Sequence, residues 1–349
     1  MTQPSTLYVC SSRRHLYIAA GLALAGEGES HLLVIDQASA DPDATVAALG
    51  RQPGLFASIT VRPRPRGRRA FRAELAACRA LVAHLRPGRI VAGNDRKYQF
   101  QYACKSARDL GLGTRGVYID DGTGSYESGI YLYFWRGLLD RSLVALAKRF
   151  AVGFWYHRAR YFGGSRWVDE CLVQHPKLMP APVQSRKQVL PLLAEIYRQP
   201  ERLAVLEACF LSSRPDARRW ADCQAIIVLP YSKHVPRRGP AFERFVAMLR
   251  EAVAGCAPVG IKYHPRESRE YLPPVPGDVL IDREVPAEIL FSQCRPRRIV
   301  GDTSSALLSA QWLQTGAQII SLCPQGDLGK PIPRLLARAG IRVDGYPVD

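Results

Sequence analysis

The sequence predicts an α/β protein of two domains, each with a parallel sheet wrapped by helices. Three observations predict it. The chain has 349 residues, and at roughly 150 residues per domain it has room for two cores. Short β-branched runs alternate with helical pattern along most of the chain, the order of βαβ units. Hydrophobic residues make up 47% and charged residues 23%, ordinary globular usage that excludes an unfolded polyelectrolyte.

Residues 7–10 read as the first strand and 31–36 as the second, with an apolar-faced helix between them. That helix begins at Ser12-Arg13-Arg14-His15-Leu16, which imitates a twin-arginine export signal. The strand on either side argues instead that the segment opens a βαβ unit. Residues 89–93 and 116–120 are the next strands, each ending in turn or acidic residues. A helical, proline-punctuated stretch from about 180 to 222 follows, and the boundary is placed between residues 185 and 186. Residues 225–230, 259–262, 298–302 and 318–322 are four further strands, spaced by amphipathic stretches. In open α/β sheets ligands collect at the carboxyl ends of strands, so those ends are where chemistry is sought.

The charge is unusual. With 48 Lys and Arg against 31 Asp and Glu the formal net charge is +17, which attracts polyanions or anionic membranes. The nine cysteines sit singly, with no C-x-x-C pair, which fits a reducing compartment and argues against a zinc site or disulfide framework. No apolar run reaches the length of a membrane span.

Three strand ends carry candidate chemistry. Asp120-Asp121-Gly122 follows the strand at 116–120, and a carboxylate there could take a proton from an alcohol while Gly122 lets the backbone turn away. Lys262-Tyr263-His264-Pro265 ends the strand at 259–262. Lys262 and His264 share strand parity, Pro265 fixes the loop, and a cation beside an imidazole suits a phosphate. Thr303-Ser304-Ser305 stands between a strand and a helix, where hydroxyls and backbone N–H groups meet the positive end of a helix dipole. The alternatives at these places are a solvated acidic turn, a structural histidine and an ordinary helix cap. There is no P-loop, no G-x-G-x-x-G after the first strand and no His/Cys cluster, which argues against an ATPase, a dehydrogenase or an obligate metalloenzyme.

In this order the motifs resemble those of the bacterial GT-B sialyltransferases, particularly the capsular polysialyltransferase and lipooligosaccharide sialyltransferase groups. The residues concerned are Asp120-Asp121-Gly122, Lys262-Tyr263-His264-Pro265 and Ser304-Ser305, with the Gly93-Asn94-Asp95-Arg96 turn and the opening strand. The resemblance implies two Rossmann-like domains facing a cleft, an acceptor-side domain at 1–185 and a nucleotide-sugar-binding domain at 186–349. It implies a carboxylate base, Asp121 in preference to Asp120, and His264 bonding to or protonating the departing phosphate of a CMP donor. Ser304 and Ser305, with Thr303, would hold that phosphate, Lys262 would lie near the nucleotide, and Glu288 would reach the ribose hydroxyls. The implied activity is inverting transfer of sialic acid or a related nonulosonic acid from a CMP-sugar to a glycan or glycolipid acceptor, with no cofactor and no obligatory metal. The single cysteines fit the cytoplasm, and attachment to the inner face of the membrane is one reading of the aromatic segment below. A Kdo or CDP-glycerol-type transferase of the same architecture is the near alternative. A basic nucleic-acid-binding protein is the distant one, and no helix-turn-helix, RNA-recognition or zinc-finger signature supports it.

Between Ile130 and Trp167 aromatic residues such as Trp135, Phe150, Phe154, Tyr156 and Phe162 are interleaved with Arg136, Arg141, Arg149, Arg158, Arg160 and Arg166. Three readings are open: an anionic membrane surface, core rings under a solvated arginine face, or a groove for an anionic glycan acceptor.

Overall fold

Among the described residues, seven parallel strands form the first sheet, in the order β3-β2-β1-β4-β5-β6-β7. They are β1 Thr6–Cys10, β2 Ser30–Gln37, β3 Ser58–Pro63, β4 Arg89–Ala92, β5 Arg115–Ile119, β6 Glu170–Val173 and β7 Gln188–Pro191. Between them run α1 Arg13–Ala25, α2 Ala44–Arg51, α3 Gly67–Leu85, α4 Tyr98–Asp109 and α5 Thr123–Tyr126. The computed structural model describes residues 5–41, 43–127, 150, 152–211, 220–231, 239–314 and 316–347. Most of the basic aromatic segment, residues 130–149 and 151, lies outside them.

Central strands read as continuous apolar runs because helices cover both faces of a parallel sheet. In β1, Leu7, Tyr8, Val9 and Cys10 are all buried. The helix that follows starts at Ser12, whose hydroxyl accepts the His15 backbone N–H at 3.3 Å and caps α1. The export-like stretch is therefore the first crossover of the sheet.

The second sheet has six parallel strands among the described residues, in the order β10-β9-β8-β11-β12-β13. They are β8 Ala225–Val228, β9 Val259–Lys262, β10 Asp278–Ile281, β11 Arg298–Gly301, β12 Gln318–Pro324 and β13 Arg342–Tyr346. Phe245, Leu249, Ile227, Ile261, Val300 and Leu322 pack into one of its buried clusters. The two compact units are Met1–Ile196 and Tyr197–Asp349. Strand β7, which falls beyond the boundary expected at 185, pairs with β6 and completes the first sheet.

Strand order decides where chemistry can sit. The connections run one way from β1 to β2 and β3, then reverse to β4, so a crevice opens beyond the carboxyl ends of β1 and β4. The same reversal lies between β8 and β11 in the second sheet. All nine cysteines are free, and eight are buried as small apolar side chains. Among the described residues no helix is long and apolar enough to cross a membrane.

Candidate functional site

The acidic pair at the end of β5 divides into two unlike carboxylates. Asp120 is fully buried. Its Oδ1 accepts from Arg14 Nη2 at 3.0 Å and from the Gly122 N–H at 2.6 Å, and its Oδ2 accepts from the Gln174 N–H at 3.3 Å and from the Tyr126 hydroxyl. Burial, and the Asp120 charge beside it, push the Tyr126 hydroxyl well above its ordinary pKa. With four donors on two oxygens, Asp120 has little capacity left for a substrate.

Asp121 is the open member, its side chain 29% exposed. Its backbone N–H donates to Ser125 Oγ at 2.8 Å, and Gly122, at φ +75°, turns the chain away from it. His15 Nε2 lies 2.8 Å from Asp121 Oδ1. An ionised carboxylate only accepts, so Nε2 carries the proton, and Nδ1 faces Ser11 Oγ at 3.4 Å. The imidazole is 2% exposed and sits where a side chain at residue 93 would be: a Cβ on Gly93 would lie 2.1 Å from its ring. Arg14 and His15, missed in the sequence reading, are thus the partners of Asp120 and Asp121. The available signal was their position, since both open the helix after β1 at the edge where β5 ends.

Next along the sheet, the Gly93-Asn94-Asp95-Arg96 turn follows β4. Asp95 is fully buried, its Oδ2 accepts the Ser165 N–H at 2.9 Å, and burial pushes its carboxyl up to about 6.

In the second unit the carboxyl ends of β8, β9 and β11 carry the remaining candidates. His264, just past β9, is half-buried, with its ring 5.7 Å from that of Tyr231 beyond β8. Its Nδ1 accepts the Arg266 N–H at 3.1 Å, which fixes the ring and puts the proton of the neutral imidazole on Nε2. Pro265, beside it, is exposed. Ser304 caps the helix Ser305–Leu313 by accepting the Ala306 N–H at 3.2 Å, and Thr303 Oγ1 donates to Asp302 Oδ1 at 3.1 Å. Thr303, Ser304 and Ser305 are all partly exposed at that helix start.

Two of the candidates are buried. Lys262 does not share an open face with His264: it is 3% exposed, and its ammonium donates to the carbonyls of Tyr263 at 2.9 Å and Arg283 at 2.7 Å. It pins the β9 end to the loop after β10. Glu288 is also buried, and its Oε1 accepts Ser309 Oγ at 3.0 Å, which ties the helix Ala287–Gln293 to Ser305–Leu313.

Residues 242–323 match the family model of the alpha-2,8-polysialyltransferases (POLYST), a stretch that contains Lys262, His264, Glu288, Ser304 and Ser305. The second unit resembles a polysialyltransferase. The fold of the chain is similar to that of the alpha/beta-galactoside alpha-2,3-sialyltransferase of Photobacterium phosphoreum, with TM-score 0.64 at 10% identity over 98% of this chain and 99% of that one. It is also similar to the UDP-GlcNAc 2-epimerase of Methanocaldococcus jannaschii, with TM-score 0.55 at 10% identity over 98% and 89% of the two chains. The Neisseria meningitidis UDP-GlcNAc 2-epimerase, a structure with UDP-GlcNAc bound, gives TM-score 0.52 at 12% identity over 98% and 88%. No curated protein sequence matches the chain. Two parallel-sheet α/β units of GT-B type are thus the fold.

Proposed function

We propose that the protein is an inverting, metal-independent glycosyltransferase that moves sialic acid or a related nonulosonic acid from a CMP-sugar to a glycan hydroxyl. The observation that carries this reading is the asymmetry of the acidic pair: Asp120 is consumed by four hydrogen bonds, while Asp121 stays accessible on a buried imidazole. An accessible carboxylate held in one rotamer is what a general base for an alcohol requires. The family match in the second unit supports the donor side.

In this mechanism Asp121 takes the proton of the acceptor hydroxyl as its oxygen bonds to the anomeric carbon. The bond from that carbon to the CMP phosphate oxygen breaks, its electron pair leaving with CMP. His264 and the hydroxyls at Ser304 and Ser305 stabilise the charge that develops on the phosphate, and His264 can return a proton to it. His15 holds Asp121 in place. Lys262 near the nucleotide and Glu288 on the ribose hydroxyls complete the donor side of the proposal.

Thermal melts of the full chain with CMP, CDP, UMP, UDP and GDP test the donor. Selective stabilisation by CMP is expected, because a ligand that binds only the native state raises its stability by mass action. Indifference to both cytidine nucleotides would overturn the reading.

A further inference from the structure

The second His-Pro pair of the sequence, His175-Pro176, stands beside the acidic pair. Strand β6 pairs with β5 through Leu172 and Ile119, and the chain then bends at Gln174 before Pro176 opens a short helical turn, Pro176–Leu178. Backbone bonds hold that bend onto the acidic site. The Gln174 N–H donates to Asp120 Oδ2 at 3.3 Å, the His175 N–H donates to the Tyr126 hydroxyl at 3.1 Å, and that hydroxyl donates to Asp120. Gln174 thus ends β6 one strand away from the open carboxylate of Asp121.

Unlike its backbone, the Gln174 side chain is unanchored. It is 6% exposed, and neither Nε2 nor Oε1 has a hydrogen-bond partner among the described residues. Other buried amides in the chain are paired. Gln101 donates to the carbonyls of Asp95 and His157 at 2.7 Å each and accepts the His157 N–H at 2.7 Å, and Gln314 donates to the carbonyls of Phe291 and Cys294. Such pairing is the rule, because an amide taken out of water without a partner costs free energy. Of the buried glutamines described, only Gln99 shares the condition of Gln174, and it is sealed at 0% exposure within α4. Gln174 stands instead at the carboxyl end of a strand, beside a partly open carboxylate, where ligands gather in sheets of this kind.

We infer that Gln174 is a binding residue whose carboxamide pairs with neutral hydroxyls of the sugar that presents its alcohol to Asp121. The identity of that sugar as the acceptor rests on the function proposed above; the unpartnered amide does not. A carboxamide donates from Nε2 and accepts at Oε1, so it matches a pair of hydroxyls, each able to do either. It carries no charge, so it reads where the hydroxyls stand and is indifferent to the charge of the ligand. Three rotatable bonds let the amide turn toward Asp121 once a partner is offered. The unliganded fold thus carries an unsatisfied amide, and the sugar supplies the missing hydrogen bonds.

Thermal melts and calorimetric titrations of the full chain test this. Methionine is as long and flexible as glutamine and has no amide, so Gln174→Met should melt about 2 °C above the wild type. Gln101→Met, which loses three hydrogen bonds, should melt below it. Sialyllactose, titrated without donor, should bind Gln174→Met about tenfold more weakly than the wild type, and by the same factor at low and high salt, because the lost contact is neutral. The CMP-induced rise in melting temperature should be unchanged. A Gln174→Met variant that melts below the wild type has lost an amide held by the fold, which overturns the inference. Wild-type sialyllactose affinity in that variant overturns it too, as does a loss that vanishes in high salt, or no binding by either chain. Unchanged saccharide affinity beside a CMP response sinks this inference alone. Weakened affinity beside indifference to CMP sinks the donor reading alone.

Discussion

His15 Nε2 meets Asp121 Oδ1 at 2.8 Å across 106 residues of chain, joining the first turn of α1 to the end of β5. The imidazole is buried and the carboxylate is partly open, so the pair presents one oxygen outward and anchors the other. Asp121→Asn keeps the shape and removes the base; turnover should fall about 100-fold or more. His15→Gln should lower kcat about tenfold with KM unchanged, because it loosens a rotamer used only as the proton moves. Initial-rate kinetics check both, and a wild-type kcat in His15→Gln would show that the contact is structural only.

Asp120 should behave oppositely. Asp120→Asn leaves Arg14 beside a neutral amide and disturbs the four donors that converge there. Removing one partner of a buried ion pair typically costs about 3–5 kcal/mol. Since the Arg14 side chain keeps 15% exposure, the lower end, about 3 kcal/mol, is expected in urea unfolding. Asp121→Asn should cost less than about 1 kcal/mol.

His264→Ala removes a half-exposed ring, so the fold should survive. Turnover should drop about 100-fold, the usual loss when one stabiliser of developing charge is deleted. The CMP-induced rise in melting temperature should shrink in the same variant. Full turnover would free His264 from the chemistry.

Asp95 predicts a pH dependence of stability. Its folded carboxyl stands at about 6 against an ordinary value of 3.8, because burial disfavours its charge. Between those values the native state keeps a proton that the unfolded chain releases, so this contribution is complete in acid and disappears as pH rises through about 6. Asp95→Asn removes the titration. Melting temperatures from about pH 4 to 7 should show the variant gaining on the wild type as pH rises; a gap that stays constant contradicts the assignment.

The strands legible in the sequence were those with apolar runs buried on both faces, such as β1, β8 and β11. Strands β3 and β10 escaped, because partial exposure lets Arg62 and Asp278 into them and breaks the apolar signal. Strand β7 escaped for a related reason, its residues being half or fully exposed beside proline. Of the candidate site, the positions of Asp120-Asp121, His264 and Ser304-Ser305 at strand ends were legible, since turn chemistry and periodicity are local.

The sequence by itself determined two alternating α/β units and the residue types that stand at their carboxyl ends, because propensity and burial pattern act over a few residues. Only tertiary structure decided that Asp121 is open and Asp120 spent, that Lys262 holds backbone carbonyls, and that the Gln174 amide is buried beside them without a partner among the described residues. Neighbouring carboxylates differ through Arg14 and His15, more than a hundred residues away, and such partners are chosen by the order of strands in the sheet.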